Sequence, residues 1–436
     1  MEKRSLGAAT SHAEGSAGAA ARKIVAGDLN ILDWFRHLPK VTVMEPREGM
    51  ATVVCRGLGA NVTAFRTDAG LLICDSGSVE SAPLVHQALR EWAPAEPVHT
   101  IVLTHGHFDH VNGVALYMRE AHERGLPAPR LIAHENAMTR FRRYTETAAH
   151  NARINRRQYT RTEFPWPTTY PEPDVLVRDH LDVVVGSSRF EIRHGKGETD
   201  DHLWLWDGAR KAVVAGDFVI WASPNAGNPQ KVQRYAAGWA AALRDMLERR
   251  PEVVVGGHGP ILDGWDIVRP YLEDTATWLQ SLHDQTIRLL NEGARLDEIL
   301  HRVKPPAELK DRPYLQPNYD DPEFVVRNIA RLVGGWWDGN PANLKPARDT
   351  DLAAELCALV GGAHTMAERA KVLAAEGRWR LAGHMAEFAV LGGGGKLAHE
   401  IRAEVNMARA ALEPSQMAKG IFKEAAEESR LAAQAE

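Results

Sequence analysis

The sequence predicts a layered α/β sandwich followed by an all-helical region. Two observations carry that prediction. Up to about residue 264, short runs rich in Val, Leu, Ile and Thr, broken by Gly and Asp, alternate with amphipathic stretches, the texture of sheets whose strands are linked by helices. Beyond residue 265 the strand signals stop. Apolar residues then recur at helical spacing, beginning with Val268, Tyr271, Leu272, Thr275, Trp278, Leu279 and Leu282. The chain divides accordingly into a flexible tail and lead-in over 1–40, an α/β region over 41–264 and a helical region over 265–436.

Each element follows from its own pattern. ATVVCRG, NVTAFRT and GLLICDSG, from residue 51 onward, read as consecutive strands. In 79–92, Val85, Leu89 and Trp92 share one helical face. The strand 98-VHTIVL-103 runs into a polar loop, a helix is expected over 111–124, and 130-RLIAHE-135 is the next strand. Residues 136–162 are rich in arginine (Arg140, Arg142, Arg143, Arg153, Arg156, Arg157 and Arg161). They read as one or two helices with a solvated charged face, or alternatively as a cationic wall for an anionic substrate. Strands resume at SRFEIRH, HLWLWD, KAVVAGD and EVVVGGH. In the helix 232–250, Tyr235, Trp239, Leu243 and Met246 form a core-facing stripe. A Pro/Asp-rich loop spans 304–322 and a helix 323–337. Short helix pairs fill 350–435, resembling a small tetratricopeptide-like stack without that motif's clean period.

Bulk properties narrow the function classes. The chain has 436 residues, 25% of them charged, with a formal net charge of -5. That balance argues against a nucleic-acid-binding surface, which needs a clustered basic face. The three cysteines, Cys55, Cys74 and Cys357, have no CxxC spacing, so neither a disulfide framework nor a thiolate metal site is expected. No apolar run has the length of a membrane span. The first 23 residues carry positive charge but no apolar core, unlike a secretory signal. They read as a disordered Ala/Gly/Ser tail. A cytoplasmic address is expected.

The chemistry concentrates in 104-THGHFDHVNG-113, which places His105, His107, Asp109 and His110 within six residues directly after an apolar strand. Imidazole and carboxylate are good ligands for zinc and for other first-row metals, including iron and manganese. A loop at a strand's end can offer His105 and His107 to one ion, and Asp109 and His110 to a second. Further ligands are expected at other strand ends, where a sheet gathers its loops along one edge. Glu198 in 194-HGKGETDDH-202, Asp217 at the end of KAVVAGD and His258 at the end of EVVVGGH fit. Each sits beside glycine, which permits a sharp backbone turn. His194 or His202 are alternatives to Glu198. Asp75 is expected to orient the ligand loop rather than to bind metal. His134 is divided between substrate contact and plain structure. Asn112 reads as a helix cap, and Trp336 and Trp337 as core or interface.

The order HxHxDH, glycine-rich turn, strand-end Asp and late Gly-His resembles the metallo-β-lactamase fold over residues 45–262. The usual histidine of the glycine-rich turn falls here on Glu198, as in the alkyl sulfatase branch. The segment 335-GWWDGNPANLKP-346 resembles the signature of that branch's helical dimerisation domain. The resemblance implies an αββα sandwich over 41–264, followed by an all-α dimerisation domain over 265–436. It implies two zinc ions per chain, one held by His105, His107 and Glu198 and the other by Asp109, His110 and His258, with Asp217 bridging. It further implies a homodimer and sulfate-ester hydrolysis by a hydroxide shared between the ions. The branch usually bridges with glutamate, so Asp217 is a departure. Its sulfate-gripping arginine has no plain counterpart either: 223-SPNAGNPQKVQR-234 offers Asn225, Asn228, Lys231 and Arg234. The sterol-carrier-like domain that sulfatases often add is not expected.

In this reading Asp217 holds the ion spacing and Asp109 orients the attacking water. Lys231, or an arginine from 140–161, stabilises the departing charge of an anionic ester. The pocket walls are expected from residues 136–170 and 220–234. The same centre also suits a lactone, thioester, amide or phosphoester. A non-catalytic metal-binding protein and an iron-dependent oxygen-handling protein are the alternatives from other classes.

Overall fold

Strand-forming runs pair into two sheets in the computed structural model, which describes residues 11–12, 17–57 and 59–435. The first sheet follows chain order: β1 (Ser11–His12), β2 (Val41–Arg47), β3 (Met50–Cys55), β4 (Val62–Thr67), β5 (Gly70–Cys74), β6 (Val98–Val102), β7 (Arg130–His134) and β8 (Val175–Val177). The second contains β9 (His180–Val185), β10 (Ser188–His194), β11 (Leu203–Asp207), β12 (Ala212–Gly216), β13 (Val253–Gly256) and β14 (Leu262–Asp263), in the order β14-β13-β12-β11-β10-β9. Strands β2 to β5 form an antiparallel meander, whereas β5 to β8 are parallel. A parallel pair needs a crossover. Helices Ala82–Trp92 and Val114–Glu123 supply it in the first sheet, and Ala236–Glu248 between β12 and β13 in the second.

The sheets face one another across a core that includes Phe65, Leu72, Val102, Ile132, Phe190, Leu205 and Val214. Helices cover both outer faces, giving the αββα order. On the first, Val85, Leu89 and Tyr117 pack against Ile73 and Ile101. On the second, Trp239, Leu243 and Met246 of the expected stripe are fully buried, while Tyr235 is half-buried. That outer layer continues into helix Trp265–Asn291 through Tyr271, Trp278 and Leu282. The helices from Asp349 to Leu412 bury a separate small core of their own. Among the described residues no helix is long and apolar enough to cross a membrane.

Two departures from the sequence reading matter for the site. The tail read as disordered through Lys23 is helical from Ala19: helices Ala19–Ala26 and Ile31–His37 pack on the second sheet's outer layer, with Ala21 and Ile24 fully buried. The anchor is long-range, since Arg22 pairs with Asp266 and donates to the Asp263 carbonyl at 2.7 Å. Residues 1–10 and 13–16 lie outside the described residues. Strands β8 and β9 were not anticipated. In β9 the charged Asp182 and the exposed Val184 alternate with the buried Val183 and Val185, a half-buried pattern that the neighbouring charges obscure.

Candidate metal centre

Strand ends aim the donors at one edge of the sandwich. Strand β5 is followed directly by Asp75, whose φ of 64° lies in the left-handed region that non-glycine residues seldom occupy. That turn directs its carboxylate to the Thr104 N–H at 2.7 Å, the Thr104 hydroxyl at 2.8 Å and His110 Nδ1 at 2.7 Å. A proton held on Nδ1 by Asp75 leaves His110 Nε2 free to ligate. From the other side, Asp201 accepts the Gly106 N–H at 2.9 Å and receives Arg140 Nε at 3.0 Å. The HxHxDH loop is therefore held by two carboxylates, neither of which joins the donor groups.

The donors fall into two groups. In the first, His105 Nε2 lies 2.8 Å from His107 Nδ1 and 3.7 Å from Asp217 Oδ2, and His107 Nδ1 lies 3.6 Å from Glu198 Oε1. In the second, His258 Nε2 lies 3.3 Å from Asp109 Oδ2, and His110 Nε2 lies 3.8 Å from the same oxygen. Asp217 reaches both groups, because its Oδ1 lies 3.3 Å from His110 Nε2 and 3.5 Å from His258 Nε2. Donors about 2.0–2.1 Å from a tetrahedral ion stand roughly 3.3 Å from each other, close to these spacings. His110 Nε2 and Asp217 Oδ1 are buried without any hydrogen-bond partner. A buried polar atom is normally paired, so the two orphans fit a cation between them. Gly257 makes room for this approach, since a Cβ there would lie 1.9 Å from Asp217 Oδ1.

The electrostatics prepare His105, His107 and Asp217 for a cation and leave His110 and Glu198 holding a proton that a bound cation would displace. Burial holds His105 and His107 well below the ordinary imidazole range, so both are neutral. Burial would lower His110 too, but Asp75, Asp217 and Asp109 outweigh it and raise it. Burial pushes the Glu198 carboxyl up to about 8 despite Arg234, whose Nη1 lies 2.6 Å from Oε1. Asn225 Nδ2 donates to the same oxygen. Burial works against the Asp217 carboxylate as well, yet His110 and His258 hold it well below the usual range.

Glu198, rather than His194 or His202, joins the donor groups. His194 Nδ1 bonds the His202 carbonyl at 3.0 Å, and its ring stacks on His134. His134 bonds the Arg178 carbonyl and does not line the cavity. His202 is stacked between His105 and Phe218. Asn112 closes the short helix Phe108–Val111, its side-chain amide donating to the Phe108 carbonyl.

A cavity of about 290 Å³ opens over the donors. Its polar side presents Asn155, Gln158, Asn225, Asn228, Lys231 and Arg234, and its apolar side Ile31, Phe35, Phe108, Trp166 and Trp221. Lys231 Nζ donates to Asn155 Oδ1 at 2.9 Å, lies 5.6 Å from the Trp166 ring centre and forms no ion pair among the described residues. Burial, reinforced by Arg234, lowers it to about 7. The alternative reading of 136–162 as a cationic wall is corrected: no arginine from 140–161 lines the cavity. Arg140 pairs with Asp200 and Asp201, Arg156 and Arg157 with Glu424, and Arg161 with Glu80. Sequence reasoning also missed part of the wall. Ile31 and Phe35 come from the lead-in, and Asn318, Tyr319 and Gln416 come from the helical region. None has a local signal beyond its own helix or loop pattern.

Comparison with known proteins places this geometry. Residues 55–258 match the metallo-beta-lactamase superfamily and residues 295–431 match the alkyl sulfatase dimerisation family. A linear primary-alkylsulfatase from Pseudomonas sp. is 26% identical over 358 residues, covering 77% of this chain and 67% of that protein. An (R)-specific secondary-alkylsulfatase, also from Pseudomonas sp., is 27% identical over 75% of this chain and 53% of its own length. An alkyl/aryl-sulfatase from Saccharomyces cerevisiae is 22% identical over 72% of this chain and 52% of its own. The solved structure of a stereoselective inverting sec-alkylsulfatase from Pseudomonas sp. superposes with a TM-score of 0.81 at 22% identity, covering 89% of this chain and 66% of that one. The fold is shared, and this chain spans about half to two thirds of the length of these relatives.

Proposed function

We propose that this chain, which joins a metallo-beta-lactamase region to an alkyl sulfatase dimerisation region, is a binuclear metal-dependent hydrolase of anionic sulfate esters. One observation carries the reading: donors from four strand-end loops converge in two groups sharing Asp217, beneath a cavity whose one cation without an ion-pair partner among the described residues is Lys231. His105, His107 and Glu198 would hold one ion, Asp109, His110 and His258 the other, and Asp217 would bridge. The donor set suits zinc, with iron or manganese as alternatives. Bound there, two such ions supply Lewis acidity and lower the pKa of a shared water from about 15.7 toward 7.

The chain's own residues do the rest. Asp75 holds His110 in its ligating tautomer and Asp201 fixes the loop backbone at Gly106. Asp109 carries a carboxylate to the cavity floor, where it orients the attacking water. Lys231 faces the anionic group and balances the charge developing on the leaving oxygen. Asn225 and Arg234 are committed to Glu198. The apolar wall from Ile31 to Trp221 takes the hydrocarbon part of the ester. We further place the protein in the cytoplasm, on its buried free cysteines, and assign it a homodimer through the helical region. The test is turnover against medium-chain alkyl sulfates, lactones, thioesters, amides and phosphoesters. Sulfate release is expected. Turnover of another class alone would keep the centre and reassign the substrate.

A further inference from the structure

The segment 223–234 carries Asn225, Asn228, Lys231 and Arg234 to the cavity, yet it belongs to neither sheet. Its backbone is held by the helical region instead. Ser223 N–H donates to the Gln316 carbonyl at 2.9 Å. Asn328 Nδ2 donates to the carbonyls of Ala226 at 2.8 Å and Arg234 at 2.9 Å. Gly227 permits this approach, because a Cβ there would lie 2.5 Å from the Phe324 backbone.

At the centre of the contact is Asp320, fully buried. Its carboxylate forms no ion pair among the described residues and accepts only peptide N–H groups: Gly227 at 2.6 Å, Asn228 at 3.2 Å and its own neighbour Asp321 at 2.9 Å. Asn228 in turn sets the turn that follows. Its φ is 28°, its side-chain oxygen accepts the Gln230 N–H at 3.1 Å, and its carbonyl accepts the Lys231 N–H at 3.3 Å. A carboxylate buried at this cost without a cation needs every one of its hydrogen bonds.

We infer that Asp320 is a positioning residue for anion recognition. Through the peptide N–H groups of Gly227 and Asn228 it fixes the turn that presents Lys231 to the substrate. The helical region is thereby part of the substrate site as well as a surface for a second copy. Helix Pro322–Gly334 starts two residues after Asp320 and ends at the exposed segment bearing Trp336 and Trp337, so one rigid element joins the two. The inference rests on the proposed reading of the cavity as an anion site.

The test is calorimetric titration of inorganic sulfate into the metal-loaded full chain, first wild type, then Asp320→Asn and Asn328→Ala. Metal content and circular dichroism serve as controls, and kcat and KM are measured separately on an alkyl sulfate. Asp320→Asn turns an amide N–H toward a peptide N–H. It should keep its metal and raise the sulfate Kd and the KM about tenfold or more, with kcat nearly unchanged. Asn328→Ala should shift both in the same direction by less. Wild type that binds no sulfate overturns the anion-site reading, and the inference with it. Wild type that binds sulfate, with Asp320→Asn binding equally well, overturns the inference alone. Should Asp320→Asn fail to fold, an unchanged sulfate Kd in Asn328→Ala overturns it.

Discussion

Lys231 is where the substrate question turns on one side chain. Its side chain is half-buried in the cavity wall, with an amide partner and no carboxylate, and the desolvation lowers its pKa to about 7. The sign follows directly. The folded pKa lies below the ordinary lysine value, so the group is charged below about pH 7 and neutral above it. If it grips an anionic ester, kcat/KM, which reports the free enzyme, should fall as pH rises through 7. Lys231→Met should remove that limb and raise KM about tenfold or more, measured as a pH–rate profile on one alkyl sulfate. At this scale the candidate ligands were legible, because each lies in or just after the loop that follows an apolar strand, in a pattern carried by neighbouring residues. Asp201, Arg140 and Asp320 were not. Their partners lie 61 to 95 residues away, and a long-range pairing leaves no local mark.

Among the elements, the ligand loop depends on helix Asn136–Glu146, which brings Arg140 to Asp201. Both side chains are almost completely buried. Without Asp201, Arg140 keeps only its pairing with the half-exposed Asp200, so the cost stays below the ~3–5 kcal/mol of a buried charge left with no partner. Asp201→Ala should therefore lower the midpoint of thermal unfolding and also weaken metal retention, because the Gly106 N–H loses its acceptor. Thermal melts with and without added zinc separate the two effects. Strand positions were largely readable from the runs of branched residues. Strand β9 escaped because exposed and buried positions alternate with charges, and the helix at Ala19 escaped because Ala, Gly and Ser also compose disordered tails. Its order comes from Ala21 and Ile24, fully buried against the second sheet's outer layer, a packing contact with no local mark.

For the whole molecule, the helical region is joined to the sandwich through a shared core and completes the cavity with Asn318, Tyr319 and Gln416. Sequence pattern located that region but not its contribution to the site, which arises only when distant segments pack. Its exposed face carries Trp336 and Trp337, at 70% and 48% exposure, beside Leu332, Val333 and Leu344. Large exposed aromatics on one segment mark an interaction surface. If the proposed homodimer forms through this face, W336E combined with W337E should convert it to monomer in light scattering while leaving the metal content unchanged. A wild-type monomer would remove the dimer from the account.

The central claim is a two-ion centre bridged by Asp217 that releases sulfate. It is tested most directly by returning zinc to metal-stripped protein while counting bound ions and assaying sulfate release, for wild type and Asp217→Ala. The account predicts two ions per wild-type chain, with sulfate release completed by the second, and at least one ion and nearly all turnover lost in Asp217→Ala. Full metal content and normal turnover in Asp217→Ala would contradict it.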